Sequence, residues 1–521
     1  MLHEQLTSQI RKAMNGDDFE WDTSIPFNWA VDFFDYTAPD LPALFNMNDN
    51  KTYTYGDLSR QSNIYAHHFA SYGLNDKHCA MLVIENSPDY YFIALALIKL
   101  NIFFVPCSSQ LSKTDLIYRK SVINPNLIIT DNEKYREILE LDDDDLTFVI
   151  KDNELKRIIH GDCYLEDVNN ALISNVGFNH ISGNAPMMGT FTSGSSGLPK
   201  LAVHSHTSWP VGHLSSVAWQ GINRNDLHLN IAHTGWAKHA WSSFFVPFNV
   251  GACVAIPNQE CLDPSKFSLT IQNSNISSIC APPSFWRSVI KNGLPKKPER
   301  LSNITSAGEK IDFTSMDTIK NKWGLTLRNG YGQSEATAMI GDMPNGDKNS
   351  ILPGYHNATL LDGESSDEGI LGFPLEEKPV GVMLGYKSLD GNIKHPNASW
   401  FITGDRCKKL SNQHYELIGR NSLSFKSYDY LISPEEVEEK LLTSGLVSET
   451  FVYRDHDIHN EPVPSILVIP VDDKIGIDQL KNWINAHFSS IYRFNDIRIV
   501  EKLAKNISGK IDRKAILEAL Q

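Results

Sequence analysis

Between residues 76 and 130 the apolar positions fall into short blocks whose period keeps switching. Residues 78–84 form a short, nearly continuous apolar run, as a strand buried on both faces requires. Residues 89–100 carry helical spacing, 102–106 read as a strand, 113–122 as a helix and 127–130 as a strand. The rhythm returns at 252–256 and 278–281, with helical stretches at 264–272 and 284–291. Two more apolar strands, 187–191 and 201–203, flank a run rich in Ser and Gly. Repeated β-α-β units predict parallel sheets covered by helices, with ligands at the strand ends. There is no repeat at solenoid period and no low-complexity linker.

After Gly419-Arg420 the pattern changes scale. Helical spacing at 434–442 and 477–487 alternates with strand-like 449–453 and 465–470. About a hundred residues suffice for a small domain. The expected fold is therefore α/β: a large N-terminal body of stacked β-α-β sheets over residues 1–420, and a small mobile α+β C-terminal lid over 421–521.

Composition sharpens this picture. A chain of 521 residues is too long for one core and suggests two or three domains. With 41% hydrophobic residues it can bury those cores, which argues against disorder. A net charge of −15 disfavours nucleic acid or an anionic membrane as the main partner. The seven cysteines lack C-x-x-C spacing, which suits reduced thiols rather than disulfides or zinc. The first residues show no basic-then-apolar signal and no apolar run reaches membrane-spanning length, so the cytoplasm is the expected compartment. The run Asp142-Asp143-Asp144-Asp145 reads as a solvated loop, not a metal site.

The chemistry concentrates in Thr192-Ser193-Gly194-Ser195-Ser196-Gly197-Leu198-Pro199-Lys200. Its first six positions hold four hydroxyls and two glycines. The glycines let successive N–H groups converge on an anion, the hydroxyls add donors and Lys200 adds charge. This is not a Walker A loop, because Pro199 precedes the lysine and Leu201 follows it. Flanked by apolar strands, it reads as a phosphate loop.

Four further motifs follow in order: Gly330-Tyr331-Gly332-Gln333-Ser334-Glu335, Thr403-Gly404-Asp405, Gly419-Arg420 and Ser508-Gly509-Lys510-Ile511-Asp512-Arg513. Together with the loop they resemble the core motifs of the adenylate-forming superfamily of acyl-CoA synthetases, peptide-synthetase adenylation domains and luciferases. The resemblance spans nearly the whole chain. Leu111-Ser112-Lys113-Thr114-Asp115-Leu116-Ile117-Tyr118-Arg119, His233-Thr234-Gly235-Trp236 and Gly251-Ala252 lean toward the medium-chain acyl-CoA synthetase branch.

This resemblance implies an ATP-dependent carboxylic acid ligase. It would make an acyl-adenylate and pyrophosphate, then pass the acyl group to CoA, to a carrier protein's phosphopantetheine or to another nucleophile. The other reading is a non-catalytic nucleotide- or acyl-binding relative, a sensor or scaffold. Retention of Lys510, Glu335, Asp405 and the loop argues against it. By the resemblance, Thr192, Ser193, Gly194, Ser195, Ser196, Gly197 and Lys200 hold the ATP phosphates. Glu335 holds Mg²⁺ with help from Thr192, and Asp405 meets the ribose with Arg420 nearby. Gly308, Glu309, Tyr331 and Gly332, next to Gln333 and Ser334, enclose adenine. Lys510 bridges the attacking carboxylate and the α-phosphate.

The acid pocket is expected to include Trp236, Lys238, His239 and Gly332. Relatives that take acetate have Trp at the place of Gly332, so an acid larger than acetate is implied. Lys238 stands where amino-acid-activating relatives keep an Asp, which argues against an α-amino acid. It either pairs with a second anion on the substrate or snorkels to solvent along the pocket wall. At the hinge, Ser422, Asp429 and Leu431 replace the relatives' Asp or Lys, Gly and Arg. Asp429 therefore predicts weak transfer to free CoA.

Overall fold

A computed structural model describes residues 2–520 except 133–134, 141–145, 152–153, 160–161, 166–177, 179, 193–197, 273, 309–310, 312, 366, 398, 421–424, 429, 433, 443, 505–510 and 512. The chain divides into two compact units. One comprises Met1–Ser109, Arg119–Phe191 and Leu201–Gly419, the other Gln110–Tyr118, Thr192–Lys200 and Arg420–Gln521.

The first unit holds two large sheets. In the ten-stranded one, Pro186–Thr192, Phe103–Pro106, Cys79–Val83, Leu127–Thr130 and Thr147–Lys151 run parallel side by side. Helix Pro88–Lys99 links Cys79–Val83 to Phe103–Pro106 and is buried at every position but Pro88. That explains its apolar residues all round, where a surface helix would show a stripe. Its last residue, Lys99, is buried with Nζ 2.8 Å from Asp35 Oδ1 and 2.7 Å from Asn63 Oδ1. Burial lowers the pKa of this ammonium, although Asp35 opposes the shift.

In the thirteen-stranded sheet, Pro42–Asn46, Cys253–Ile256, Leu227–Asn230, Ser278–Cys280, Asn303–Ala307 and Arg328–Gly332 are parallel neighbours in that order. Ala338–Gly341 then pairs antiparallel with Arg328–Gly332 and ends the parallel run. Residues 306–308 and 331–335 sit at or just past the carboxyl ends of its last parallel strands, where open α/β sheets bind ligands.

Two glycines in this sheet are required by one tryptophan. Trp219, on helix Leu214–Gln220, is fully buried. A Cβ on Gly330 would lie 2.5 Å from its indole Cε2, and one on Gly341 2.9 Å from its Cβ. Only strands without side chains there let the ring lie against them. Helix Leu2–Met14 buries Leu6, Ile10 and Ala13 and packs on Leu214–Gln220.

In the second unit Val447–His456 pairs antiparallel with Pro462–Pro470, and Ile497–Ile499 adds a parallel edge. Helices Pro434–Leu442 and Ile477–His487 contribute Val437, Leu441, Leu480 and Ile484 to a core with Val452, Ile466 and Val468. Hairpin strands Phe425–Ser427 and Tyr430–Ile432 precede them. Segment 110–118 belongs to this unit through named contacts. Lys440 Nζ lies 3.3 Å from Asp115 Oδ1, and Ser489 Oγ donates to the Gln110 carbonyl at 2.7 Å.

Candidate active site

Strand Arg328–Gly332 ends in Tyr331-Gly332, and residues 333–337 turn back into Ala338–Gly341. The turn is tight. A Cβ on Gly332 would lie 2.6 Å from the Thr337 carbonyl oxygen, so backbone packing itself demands glycine. Gly332 is thus not simply vacated pocket space, as its comparison with a bulky Trp suggests.

Thr403-Gly404-Asp405 is part of the long strand Trp400–Ser411, with Gly404 in the left-handed region at φ +72°. Thr403 Oγ1 donates to the Leu371 carbonyl at 2.8 Å and accepts from the Asp405 N–H at 3.1 Å. This fixes the Asp405 backbone, and the residue is only 4% exposed. Two donors converge on the same oxygen, Oδ2: the Tyr331 hydroxyl at 2.6 Å and Gln333 Nε2 at 2.5 Å. Gln333 Nε2 also reaches the Thr403 carbonyl at 2.8 Å. Burial pushes the Tyr331 phenol well above its usual pKa, and the Asp405 charge pushes it further. The phenol therefore stays a donor at physiological pH. Three sequence-selected residues, Tyr331, Gln333 and Asp405, form one hydrogen-bonded cluster.

Glu335 lies on the same turn, half-buried. Its Oε1 accepts from the Tyr386 hydroxyl at 2.8 Å, while its carbonyl accepts from the Met383 N–H at 2.9 Å. Tyr386 lies on Gly385–Lys387, which pairs with Lys200–Ser205 in the ten-stranded sheet, Ala202 opposite Tyr386. The preceding carbonyl, of Ser334, meets His204 Nε2 at 2.8 Å. Complete burial pushes the His204 pKa down to about 3, so the ring is neutral and Nε2 carries the donating proton. Neither His204 nor Tyr386 is marked by any motif. Each acts through a sheet position that only pairing reveals.

Among the described residues, no partner holds the other Glu335 carboxylate oxygen, and no three His, Cys, Asp or Glu side chains cluster as a metal cage. A single oriented carboxylate fits Mg²⁺, which takes most of its ligands from phosphate and water.

The acid-side residues separate. Lys238 is half-buried on the short helix Ala237–Ala240, with Nζ 3.5 Å from the Ala307 carbonyl, too long for a strong hydrogen bond. No carboxylate among the described residues pairs with it. Trp236 caps that helix and is half-buried. His239, expected in the pocket, is a core residue instead. It is 1% exposed, its ring edge-on to Tyr90 at 5.1 Å, and burial takes its pKa down to about 3. Adjacent helical residues point about 100° apart, so Lys238 and His239 cannot share a face.

Thr192 closes strand Pro186–Thr192 and Lys200 opens Lys200–Ser205, both half-buried. Gly308 follows strand Asn303–Ala307 at φ +117°, and Arg420 ends strand His414–Arg420. Ser193, Gly194, Ser195, Ser196, Gly197, Glu309 and Lys510 lie outside the described residues, as do the hinge residues Ser422 and Asp429.

Comparison with known proteins matches residues 34–358 to the AMP-binding enzyme family and residues 436–510 to its C-terminal domain. This chain belongs to the AMP-binding enzyme family. A 4-hydroxybutyrate–CoA ligase of Metallosphaera sedula is 31% identical over 94% of this chain and 89% of its own. The mitochondrial acyl-coenzyme A synthetase ACSM3 of Rattus norvegicus is 27% identical over 84% of this chain and 78% of its own. Among solved structures, o-succinylbenzoate CoA synthetase of Bacillus subtilis superposes with TM-score 0.75 at 19% identity, covering 95% of this chain and 98% of that one. The amide bond synthetase McbA of Marinactinospora thermotolerans reaches TM-score 0.80 at 14% identity, covering 94% and 99%. These two likenesses speak to the fold. As an AMP-binding enzyme the protein is an AMP-forming acid ligase. It uses ATP with Mg²⁺ to form an acyl-adenylate and transfers the acyl group to a nucleophile, which sets aside the non-catalytic reading.

Proposed function

We propose that the protein activates a carboxylic acid larger than acetate and passes it to CoA in the cytoplasm. The observation that carries the site assignment is the Tyr331–Gln333–Asp405 cluster at the carboxyl end of the parallel sheet, an acceptor pre-oriented for ribose hydroxyls. Thr192 through Lys200 hold the β- and γ-phosphates, Arg420 assists at the ribose, and the segments at Gly308-Glu309 and Tyr331-Gly332 enclose adenine. Lys510 comes from the C-terminal lid. A carboxylate oxygen of the acid attacks the α-phosphorus, the bond to the β-phosphate oxygen breaks and pyrophosphate leaves. The residues bring anions together and stabilise charge developing on phosphorus.

CoA is the acceptor we favour because the curated relatives are CoA ligases and synthetases by name. Their likeness weighs against the obstruction expected from Asp429. No described helix is long and apolar enough to cross a membrane. The deciding experiment is pyrophosphate release from ATP across an acid panel, with and without CoA. Acid-dependent release followed by an acyl-CoA product supports the reading. Release that ends in free acyl-AMP, or in transfer only to a carrier protein, defeats its second half.

Glu335→Gln removes the charge facing the metal but keeps the side chain's shape. Half-maximal Mg²⁺ for pyrophosphate release should rise about tenfold or more. Tyr386→Phe, which frees the carboxylate from its orienting hydroxyl, should shift it less in the same direction. Unchanged Mg²⁺ dependence in Glu335→Gln would remove the residue from the metal site.

Lys238 reads the far end of the acid, since a half-buried ammonium without a carboxylate partner gains from an anionic one. Acids with a second negative group should outrank aliphatic acids of equal length. Lys238→Met should reverse that order in kcat/KM. An identical ranking in both proteins would return Lys238 to the pocket wall.

A further inference from the structure

Three stretches of chain meet at one buried hydroxyl. Tyr355 is 1% exposed, with its ring edge-on to Phe373 at 5.2 Å. Its oxygen meets the last residue of the turn that carries Gln333 and Glu335. The Thr337 N–H donates to Tyr355 Oη at 3.1 Å, and the two hydroxyl oxygens lie 2.8 Å apart. Thr337 Oγ1 donates to the Gly212 carbonyl at 3.0 Å, and Ser215 Oγ lies 3.0 Å from it. With the Thr337 proton directed to Gly212, the Tyr355 proton is left for Thr337 Oγ1. Burial pushes the Tyr355 phenol up to about 12, so it keeps that proton at physiological pH.

Gly381 packs against the same two hydroxyls. A Cβ there would collide with Tyr355 Oη and Thr337 Oγ1, and one on Gly212 would collide with the Gly381 Cα. Two residues further on, the Met383 N–H bonds the Glu335 carbonyl, and Tyr386 follows with its hydroxyl on the Glu335 carboxylate. One hydroxyl thus sits where three stretches converge: the turn 333–337, the chain entering helix Leu214–Gln220 and the segment that supplies two Glu335 contacts. A buried polar network with its partners in place makes the backbone around it rigid. Thr337, like Tyr355, is only 1% exposed, so neither is placed to touch nucleotide or metal.

We propose that Tyr355, acting through Thr337, is the positioning residue of the turn 333–337. Its hydroxyl fixes the end of the turn, so that Gln333 and Glu335 are presented before nucleotide and metal arrive. The proposal rests on the reading that Gln333 with Asp405 serves the ribose and Glu335 the metal. Loss of the hydroxyl should therefore weaken ATP and Mg²⁺ together, well beyond any change in KM for acid.

The test compares Tyr355→Phe, Thr337→Val and Thr337→Ser in the full-length enzyme. The readings are amide hydrogen exchange over 333–337 without nucleotide, KM for ATP and for acid, half-maximal Mg²⁺ and thermal midpoint. Tyr355→Phe keeps the ring and leaves the Thr337 N–H without its acceptor. Exchange in the turn should quicken about fivefold or more, and KM for ATP and half-maximal Mg²⁺ should each rise about three- to fivefold. Thr337→Val should resemble it, while Thr337→Ser, which keeps the hydroxyl, should stay near wild type. Unchanged exchange in Tyr355→Phe would overturn the proposal. So would faster exchange with ATP and Mg²⁺ dependence unaltered, or a rise for acid as large as that for ATP. If Tyr355→Phe has its midpoint below the assay temperature, Thr337→Val against Thr337→Ser decides by the same readings. Glu335→Gln separates the two levels. If it raises half-maximal Mg²⁺ while Tyr355→Phe does not, only the positioning role fails. If Glu335→Gln also changes nothing, the reading of the site falls and takes the proposal with it.

Discussion

Lys510→Ala should lower acid-dependent pyrophosphate release by about 100- to 1,000-fold while leaving ATP binding nearly unchanged. The lysine's proposed task is to neutralise charge that grows between the attacking carboxylate and the α-phosphate. An interaction made mainly in the transition state changes kcat, not ground-state affinity. Arginine at this position should not restore the rate, because a planar fork is a poor substitute for a compact, mobile point charge. Single-turnover acyl-AMP formation is the measurement that matters, since slow product release could mask a chemical defect in steady state. Near-normal acyl-AMP formation by Lys510→Ala would show that the first half-reaction draws its charge from elsewhere, with Lys200 the next residue to test.

Asp405→Asn should raise KM for ATP by about 10- to 100-fold. The carboxylate oxygen Oδ2 receives the Tyr331 hydroxyl at 2.6 Å and Gln333 Nε2 at 2.5 Å. Both bonds are charge-assisted and partly buried, which makes them stronger than neutral ones. An asparagine loses the charge, and if its NH₂ occupies the Oδ2 position it turns a donor toward two donors. The turn 333–335 would then lose one anchor while keeping His204 on the Ser334 carbonyl, Tyr386 on the Glu335 carboxylate and the Met383 N–H on the Glu335 carbonyl. The defect should therefore sit in nucleotide binding, with Mg²⁺ dependence changed less than in Glu335→Gln. An Asp405→Asn enzyme with unaltered KM for ATP but a lowered thermal midpoint would make the cluster structural only.

Much of the fold was legible in the chain because its signals are local. The apolar run at 78–84 became strand Cys79–Val83, and the helical spacing at 89–100 became Pro88–Lys99. Burial on both faces leaves no polar alternation to confuse with a surface strand. Less legible were the assignments that depend on which side of an element faces what. Lys238 and His239 are neighbours in sequence, yet one is half-buried beside the Ala307 carbonyl and the other is locked against Tyr90. Composition around them is the same, so only the packing of helix Ala237–Ala240 separates a pocket residue from a core residue.

The order of motifs by itself pointed to the family and the reaction class, because five motifs in register over more than three hundred residues resemble those of the adenylate-forming superfamily. It also determined the β-α-β architecture, since period and length distinguish buried strands from helices. Tertiary structure alone decided how those motifs meet. Asp405 is joined to Tyr331 across 74 residues of sequence because strand Trp400–Ser411 returns to the same thirteen-stranded sheet that holds Arg328–Gly332. Glu335 is oriented by a tyrosine on the other sheet, and Gly332 is dictated by the approach of the Thr337 backbone. Such contacts follow from strand order and pairing register, which arise from the packing of distant segments and leave no local trace in the chain.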